Sequence, residues 1–469
     1  MKRFLLCITM LCLVAITLKA QTIIWTGAGD GTNWSDPNNW DLLVKPTTEH
    51  NVIIPDGSTV TIRNNDYVRI KSIIVQGNTV LTINDWIGFE EPSLFEENVM
   101  VNWHFGSLFG GVLSNGSYNC IGTLTNKGII NIDRPVPSFN TPSIQCCTLY
   151  NEGIININSG ALIITFGGLL VNESIGIIEL NEGYGIGAGI DGIGTFDNYG
   201  IIKKEISDNS SIIGVILNNM GTIEVLEGEI NFWSSYPLSL NNTVDGIISG
   251  TGVINLSELD NFTNTGSFEP GASPGTLSFI GDFTSTATSK LDIELNGTTQ
   301  GIEYDLLAIE GNAIFNGVVN VTMGFEGSLN DEFIVATTTG TITECNLAPV
   351  ATAEYNGNVY DFTVACRNNN EVVLTLVNVT LDNDSNELTY KNIQLFPNPV
   401  RNSFTLRNNS NLELKSATII DLNGRIIKTI NLKGIQKDKI ISLQSFDTGI
   451  YLIKVNSDNN SLIKKIVKL

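Results

Sequence analysis

One phrase returns along the middle of this chain: an apolar residue, Asn, one to three residues, Gly, then Ile-rich alternation. It reads Leu124-Thr-Asn126-Lys-Gly128-Ile-Ile-Asn-Ile132, then Leu149-Tyr-Asn151-Glu-Gly153-Ile-Ile-Asn-Ile157, then Phe196-Asp-Asn198-Tyr-Gly200-Ile-Ile202. Further copies are Asn219-Met-Gly221-Thr-Ile-Glu-Val225 and Asn264-Thr-Gly266-Ser-Phe268, with looser ones at Asn172 to Gly176 and Asn242 to Gly246. Successive anchor asparagines lie 25, 21, 26, 21, 23 and 22 residues apart. A period in the low twenties is too short for two helices and carries a strand signal in every unit, which points to a β-solenoid.

A single coil of this length cannot bury enough apolar surface to stand alone. Parallel stacking supplies what is missing, because each strand then pairs with the coils above and below and the apolar face becomes continuous. Asn before Gly suits a corner, since Asn tolerates left-handed dihedrals and Gly turns without steric cost. Gly200 is accordingly expected to have a positive φ, and Lys203, three residues on, to be exposed. Stacked asparagines could join in an amide ladder like those of cross-β stacks. The competing reading, an array of ordinary β-sandwiches with frequent N-x-G turns, leaves the spacing unexplained. The predicted fold class is all-β: a right-handed parallel β-solenoid over residues 21–380, then a small antiparallel sandwich after an acidic linker at 381–390.

At 469 residues the chain is too long for one ordinary domain, and 45 Gly with 16% charged residues fit a β-rich protein. Lys2 and Arg3, the apolar run Phe4 to Thr17 and Leu18-Lys19-Ala20 read as a secretory signal peptide. Cys12 lacks the small residues a lipoprotein signal places before its cysteine, so soluble export is expected. No later run of eighteen apolar residues suggests a membrane span. Five cysteines follow the signal segment, in a compartment that permits disulfides. Cys345 and Cys366 flank one non-repeating β segment and are expected to pair; Cys120 lies one coil before Cys146 and Cys147, and its partner is left open. Residues 21–390 carry 10 Lys+Arg against 43 Asp+Glu, net −33, whereas 391–469 carry 13 against 5, net +8. The acidic body argues against nucleic acid and anionic membrane as partners.

In chain order, Trp25, Trp34 and Trp40 stand among glycines before Val52-Ile-Ile-Pro-Asp-Gly57. They suit a cap over the solenoid's open end, or alternatively an aromatic platform for sugar rings. This opening resembles the W-x-G…NW…P…V-x-I-P-x-G modules at the start of many secreted bacterial β-helix and adhesin-like proteins. Val68 to Val75 and Val80 to Ile83 read as strands. Trp86 to Phe109, with Glu90, Glu91, Glu96 and Glu97, breaks the rhythm and reads as a lateral loop, the kind of insertion that often forms a binding face. Gly183 to Gly194 reads as a second, glycine-rich excursion, without the strand, helix and distal acid of a dinucleotide site. After Phe268 the register is expected to end. Glu269-Pro-Gly-Ala-Ser-Pro-Gly275-Thr-Leu, followed by Tyr304-Asp305-Leu306-Leu307, resembles the terminal region of autotransporter-like surface β-helices. Tyr355-Asn356-Gly357-Asn358 reads as a type I′ hairpin turn. Asp382, Asp384 and Glu387 offer carboxylates for Ca²⁺ but lack the glycine and distal Glu of an EF-hand loop, so a solvated linker is expected and no cofactor is assigned.

From Asn392 the pattern becomes specific. Phe396-Pro397-Asn398-Pro399, then Asp421-Leu-Asn423-Gly424-Arg425, then Gly449-Ile-Tyr451-Leu452 and Lys464-Lys465-Ile-Val-Lys-Leu469 occur in order within about 80 residues. This segment resembles the type A C-terminal sorting domain of the type IX secretion system. The resemblance implies passage through the periplasm, recognition by the outer-membrane translocon, removal by its sorting peptidase and attachment at the cell surface. The same residues read without it as about seven short alternating strands between Pro, Asn and Gly turns, hence a small sandwich.

For chemistry, Lys203 and Lys204 are the only basic residues between Pro135 and Ser289, and no His lies there, which disfavours polysaccharide lyase chemistry on the repeats. Glu179 with Glu182, and Glu227 with Glu229, are carboxylate pairs of the kind hydrolases use, and equally of the kind that solubilise a solenoid face. His50 and His104 stand in unlike contexts and read as structural. The leading expectation is a secreted, surface-displayed solenoid for adhesion or for matrix or glycan contact without catalysis. The alternative is a polysaccharide-active enzyme or carbohydrate-binding module, whose site would appear as a groove where the Trp86 to Phe109 or Gly183 to Gly194 segment gathers aromatics and carboxylates.

Overall fold

The computed structural model describes residues 20–469 apart from 115–116, 134–140, 183–184, 192–193, 207–209, 237, 260–261, 273, 382–391, 410–412, 423, 435–436 and 458–460. The signal segment, the linker carboxylates Asp382, Asp384 and Glu387, and Asn423 therefore lie outside the described residues. The chain forms two compact units, one ending with Asp361–Val377 and the other holding Glu354–Tyr360 and Asn378–Leu469. The first is a parallel β-solenoid of about ten coils, each contributing one short strand to each of three sheets of 11, 14 and 15 strands. A representative coil runs through Cys147–Asn151 in the first sheet, Ile154–Ile157 in the second and Ala161–Thr165 in the third.

Alternation decides which side chains enter the core. In the second sheet the repeated Ile-Ile-Asn-Ile strands place Ile130, Ile132, Ile155 and Ile157 inward, all nearly inaccessible, and turn Asn131 and Asn156 outward. Neighbouring coils repeat the pairing residue for residue, with Ile130 beside Ile155 and Ile155 beside Ile178, so the apolar stripe is unbroken along the stack.

The anchor asparagines form one column. Asn126, Asn151, Asn172, Asn198, Asn219, Asn242 and Asn264 are successive register partners at the end of the first sheet, each essentially buried. Each Nδ2 donates to the Oδ1 of the asparagine in the next coil at 2.5–2.8 Å, and the direction never reverses. The ladder starts above Phe95, the register partner of Asn126 in the preceding coil, which leaves Asn126 Oδ1 without a donor. At the other end Asn264 stands beside Ser285.

The expected positive φ is corrected here. Neither the anchor asparagines nor Gly128, Gly153, Gly200, Gly221 and Gly266 have one. The glycines are required by close approach. A Cβ on Gly200 would lie 2.2 Å from the Gly176 carbonyl oxygen, and on Gly221 it would lie 2.2 Å from that of Gly200. The carbonyls of Gly128, Gly176, Gly200 and Gly246 occupy the places where Cβ atoms on Gly153, Gly200, Gly221 and Gly266 would stand, and the carbonyls of Asn151 and Asn219 do the same for Gly176 and Gly246. Lys203 is also less free than expected: it pairs with Glu205 (2.6 Å) and Glu224 (3.7 Å).

Other expectations change with the coil path. Trp86 to Phe109 is a regular part of the solenoid, through Ile87–Phe89, Ser93–Phe95, Met100–Trp103 and Ser107–Phe109. Phe89, Phe95 and Trp103 point inward and fill core volume that aliphatic residues fill elsewhere, while the glutamates occupy its corners. The excursion comes next, as the hairpin Gly111–Ser114 with Ser117–Cys120, tied back by a Cys120–Cys146 disulfide that leaves Cys147 buried and unpaired. In the glycine-rich stretch, Gly185–Ala188 is a parallel strand of the third sheet rather than an excursion; its flanks 183–184 and 192–193 lie outside the described residues. Val68 to Val75 bends at Lys71 into two strands of different sheets, and Ile74 faces outward.

Beyond Phe268 only the first sheet stops. The second and third continue in parallel through Lys290–Leu295, Leu306–Glu310, Ala313–Met323 and Glu332–Thr338, so the register does not end where the asparagine phrase does. Phe268, Phe279, Phe283 and Phe315 pack edge-on or tilted, with ring centroids 5.1–5.8 Å apart, in this part of the core. Glu371–Leu381 then pairs antiparallel to Glu332–Thr338, and the predicted Cys345–Cys366 disulfide is present, with S–S 2.04 Å. Asn356 and Gly357 both have positive φ, as a type I′ turn requires.

At the opposite end Trp25, Trp34 and Trp40 are buried edge to face at 4.9–5.0 Å, with Trp40 Nε1 donating to the Trp34 carbonyl. Trp34 N bonds Thr61 O and Trp25 N bonds Ile53 O in the first coil. Buried in this way, the cluster caps the stack and presents no open ring face for a sugar.

The second unit is a sandwich of seven antiparallel strands. Three form one sheet, Ile393–Phe396, Ser403–Asn408 and Asp438–Ser442; four form the other, Ile426–Asn431, Ser416–Asp421, Gly449–Asn456 and Ser461–Lys468. Phe404, Leu406, Ile419, Ile453 and Ile466 fill the space between them.

Candidate functional site

Over the coils between Ser107 and Gly214 the outward face of the third sheet includes the small or hydroxyl-bearing residues Ser107, Ser143, Thr165, Gly187 and Gly214, with the amide of Gln145 among them. Because the glycines have no side chain and Ser and Thr have short ones, this strip is recessed between neighbouring aromatics. Two open depressions of about 470 and 310 Å³ adjoin there and share Thr141, Ile163, Ala188 and Tyr236. Trp86 and Phe166 border the first and Trp233 the second. Trp86, Phe166 and Trp233 are 38%, 52% and 48% exposed. Trp86 stacks on Phe109 at 5.8 Å, with Arg69 over the Phe109 ring.

The rim is tied down locally. Asp191 accepts from Thr165 Oγ1 (2.5 Å) and from the Phe166 amide, and the Tyr236 hydroxyl donates to the Ile190 carbonyl (3.1 Å). On the floor Ser107 and Ser143 hydroxyls are 2.6 Å apart, and Gln145 Nε2 donates to both. None of the described residues that line either depression is charged; residues 134–140, which precede Thr141, lie outside the described residues. A third depression of about 530 Å³ lies farther along the same sheet, by Ser278, Ala308, Glu310 and Thr337, without an exposed aromatic ring.

Sequence reasoning pointed at Trp86 and the glycine-rich stretch but missed Phe166, Trp233 and Tyr236. The available signal was an aromatic placed directly after an alternating strand, as in Thr165-Phe166 and Phe232-Trp233. Continued alternation turns Trp233 outward while Phe232 stays in the core, whereas at Phe166 a positive φ of 50° breaks it.

The candidate catalytic groups are dispersed. Glu179 stands on the second sheet in register with Lys203, and Glu229 on the third accepts from Asn255 Nδ2. Glu182 and Glu227 are exposed at corners. Lys204 is buried in the core, its Nζ directed to the Leu180 and Asn181 carbonyls at 3.3–3.4 Å, and burial pulls its pKa down. His50 Nδ1 accepts from the Thr47 amide and His104 Nδ1 contacts Asn84 Oδ1, each in its own coil. Among the described residues no group of three His, Cys, Asp or Glu side chains is placed to hold a metal ion.

In the sandwich, the sorting-motif residues are organised around the last strand. Asn398 spans it, Nδ2 donating to Lys465 O (2.9 Å) and Oδ1 accepting from Val467 N (2.8 Å). Val400, just after Pro399, continues the contact through Val467 O and Leu469 N. Phe396 lies under the Arg407 guanidinium at 4.7 Å. Asp421 accepts from the Arg425 amide and its Nε, closing a turn in which Gly424 has φ +82°. Tyr451 is a core residue whose hydroxyl donates to Asp447 O, and Gly449 opens its strand with no positive φ. Lys464 is half-buried and Lys465 exposed on the final strand.

With this geometry in place, comparison with known proteins gives one assignment: residues 394–469 match the secretion system C-terminal sorting domain. No curated protein matches the chain. The sorting domain marks the chain as a type IX export substrate destined for the outside of the cell or its surface, and it interacts with that secretion machinery. No helix among the described residues is long and apolar enough to cross a membrane.

Proposed function

We propose that this type IX export substrate is a surface-displayed, non-catalytic contact protein, in which the solenoid meets glycan or matrix outside the cell and the terminal sandwich is the address that brings it there. The observation that carries the reading is the recessed strip of the third sheet, where exposed aromatic rings border a polar floor and none of the described lining residues is charged. Contact with a neutral surface needs shape, stacking and hydrogen bonds, and the strip offers these. Glycosidic hydrolysis needs two carboxylates facing one cleft, and lyase chemistry needs an accessible base. Lys204 is in the core and Lys203 is held between two glutamates on another sheet. Removal of the basic sandwich by the sorting peptidase belongs to the same proposal and would leave the acidic body on its own.

The test is binding of the exported chain to an array of polysaccharides with release of reducing ends and unsaturated products followed in parallel. Retention without product is expected. Product formation, or no retention on any surface, would overturn the reading. Intact-mass analysis of the surface form should show loss of roughly residues 391–469, and the full chain at the surface would remove the cleavage step.

A further inference from the structure

We infer that the strip between Trp86 and Trp233 is a subsite for a single uncharged, linear polysaccharide chain lying along the solenoid axis. This deepens the contact reading above by naming the ligand class and the residues that take it.

The first argument is length and direction. Trp86 immediately precedes Ile87–Phe89 and Trp233 immediately follows Glu229–Phe232, and these strands are six pairing steps apart in the third sheet. At about 4.8 Å per step the rings bracket roughly 29 Å of surface along the stack. A pyranose ring and its linkage advance by a distance close to one coil, so a straight chain meets an equivalent backbone level at each sugar. The two adjoining depressions form one path because they share Thr141, Ile163, Ala188 and Tyr236. A branched glycan would meet the rim at Phe166, Ile190 and Tyr236.

The second argument is chemistry. A pyranose has apolar C–H faces and a girdle of hydroxyls. Exposed Trp and Phe rings match the faces, and the half-buried Gln145 amide offers the girdle a polar contact, while Ser107, Ser143 and Thr165 are buried and engaged with Gln145, with each other and with Asp191. The Asp191 carboxylate at the rim is occupied by Thr165 and the Phe166 amide.

The third argument is charge. An anionic polysaccharide needs cations or a bridging metal, and none of the described residues that line the strip is charged. The surrounding body, at net −33 over residues 21–390, repels uronates and sulfates further. Arg69, over the Phe109 ring on which Trp86 stacks, is engaged by that ring, Gly111 O and Glu90.

The experiment is affinity electrophoresis of the exported chain through gels containing hydroxyethylcellulose, laminarin, linear mannan or polygalacturonate, for the parent, Trp86→Ala, Trp233→Ala and the double variant. Trp86 and Trp233 are partly exposed, and thermal melts verify that the variants stay folded. Retardation by at least one neutral polymer is expected, weakened roughly tenfold by each substitution and abolished by both, with no retardation by polygalacturonate. Preference for polygalacturonate, retardation unaffected by the double substitution, or no retardation by any neutral polymer would each overturn the assignment. The two readings fail separately. Array binding that survives the double variant removes this subsite and keeps the contact function, whereas depolymerised product removes the non-catalytic reading whatever the variants do.

Discussion

Gly200 separates two explanations of the glycine column. If glycine were needed for a left-handed backbone, asparagine would substitute with little loss and alanine would cost about 1 kcal/mol. The structure gives a different reason. Gly200 has no positive φ, and a Cβ there would lie 2.2 Å from Gly176 O, 2.4 Å from Glu173 O and 2.7 Å from Asn172 Nδ2. Restoring ordinary contact requires the coil to move by about 1 Å. That shift strains the Ile201 N to Gly176 O bond (3.0 Å) and the Asn172 to Asn198 amide bond (2.8 Å). Two buried hydrogen bonds at about 1 kcal/mol each, with about 1–3 kcal/mol of overpacking, give roughly 3–5 kcal/mol for Gly200→Ala. Gly200→Asn should be at least as damaging. Gly57 is the internal comparison, because it has φ +75° and nothing within 4 Å of its would-be Cβ. There Ala should cost about 1 kcal/mol and Asn almost nothing. Urea denaturation of the four variants, followed by far-ultraviolet circular dichroism, measures the pattern. A tolerated Gly200→Asn, or a Gly200→Ala protein that unfolds with the parent, would refute the close-approach argument.

The other predictions follow from single contacts. Asn198→Ala orphans the buried Asn219 Oδ1 and removes the shortest of the three acceptors of Asn172 Nδ2, so it should destabilise by roughly 3 kcal/mol in the same assay, while Asn241→Ala, in an exposed Asn pair, should stay within about 1 kcal/mol. Burial pushes the Asp305 carboxyl up to about 6, against the amides of Glu294 and Gly275 that favour its charged form. Because its folded pKa is raised, its stabilising contribution is full below about pH 4 and is lost as pH rises through about 6; Asp305→Asn should flatten that part of the melting profile, and an unchanged profile would count against the assignment. Reduction of Cys345–Cys366, 21 residues apart, should lower stability by about 3 kcal/mol on chain-entropy grounds, read by melting with and without reductant. Asn398→Ala should release the final strand, seen as at least tenfold faster amide exchange at Val467, whereas Lys465→Ala should leave it protected.

How much was legible depended on whether the information was periodic. The asparagine column could be counted from spacing alone, because parallel stacking converts a sequence offset into a lateral neighbour. The reading failed where the spacing persisted but the residue types changed. Trp86 to Phe109 looked like an insertion because aromatics stood in place of isoleucine, yet core positions specify apolar volume and not identity, so Phe89, Phe95 and Trp103 serve as well. The same substitution hid the coils beyond Phe268, where phenylalanines fill the core.

By itself the sequence determined the period, the inward and outward faces of each strand, the Cys345–Cys366 pairing and the address at residues 394–469, since all of these are local or depend on a fixed offset. The tertiary structure alone decided the rest. Why the column glycines are glycines rests on the carbonyl of a residue some twenty positions earlier, and no local rule about φ contains it. The pairing of Cys120 with Cys146, in place of Cys147, follows from a hairpin that folds back beside the next coil. The strip on the third sheet exists because Trp86, Phe166 and Trp233, from three separate coils, are brought to one face by stacking. Their distance along the chain carries no trace of that, because proximity across coils is set by the whole path of the backbone between them.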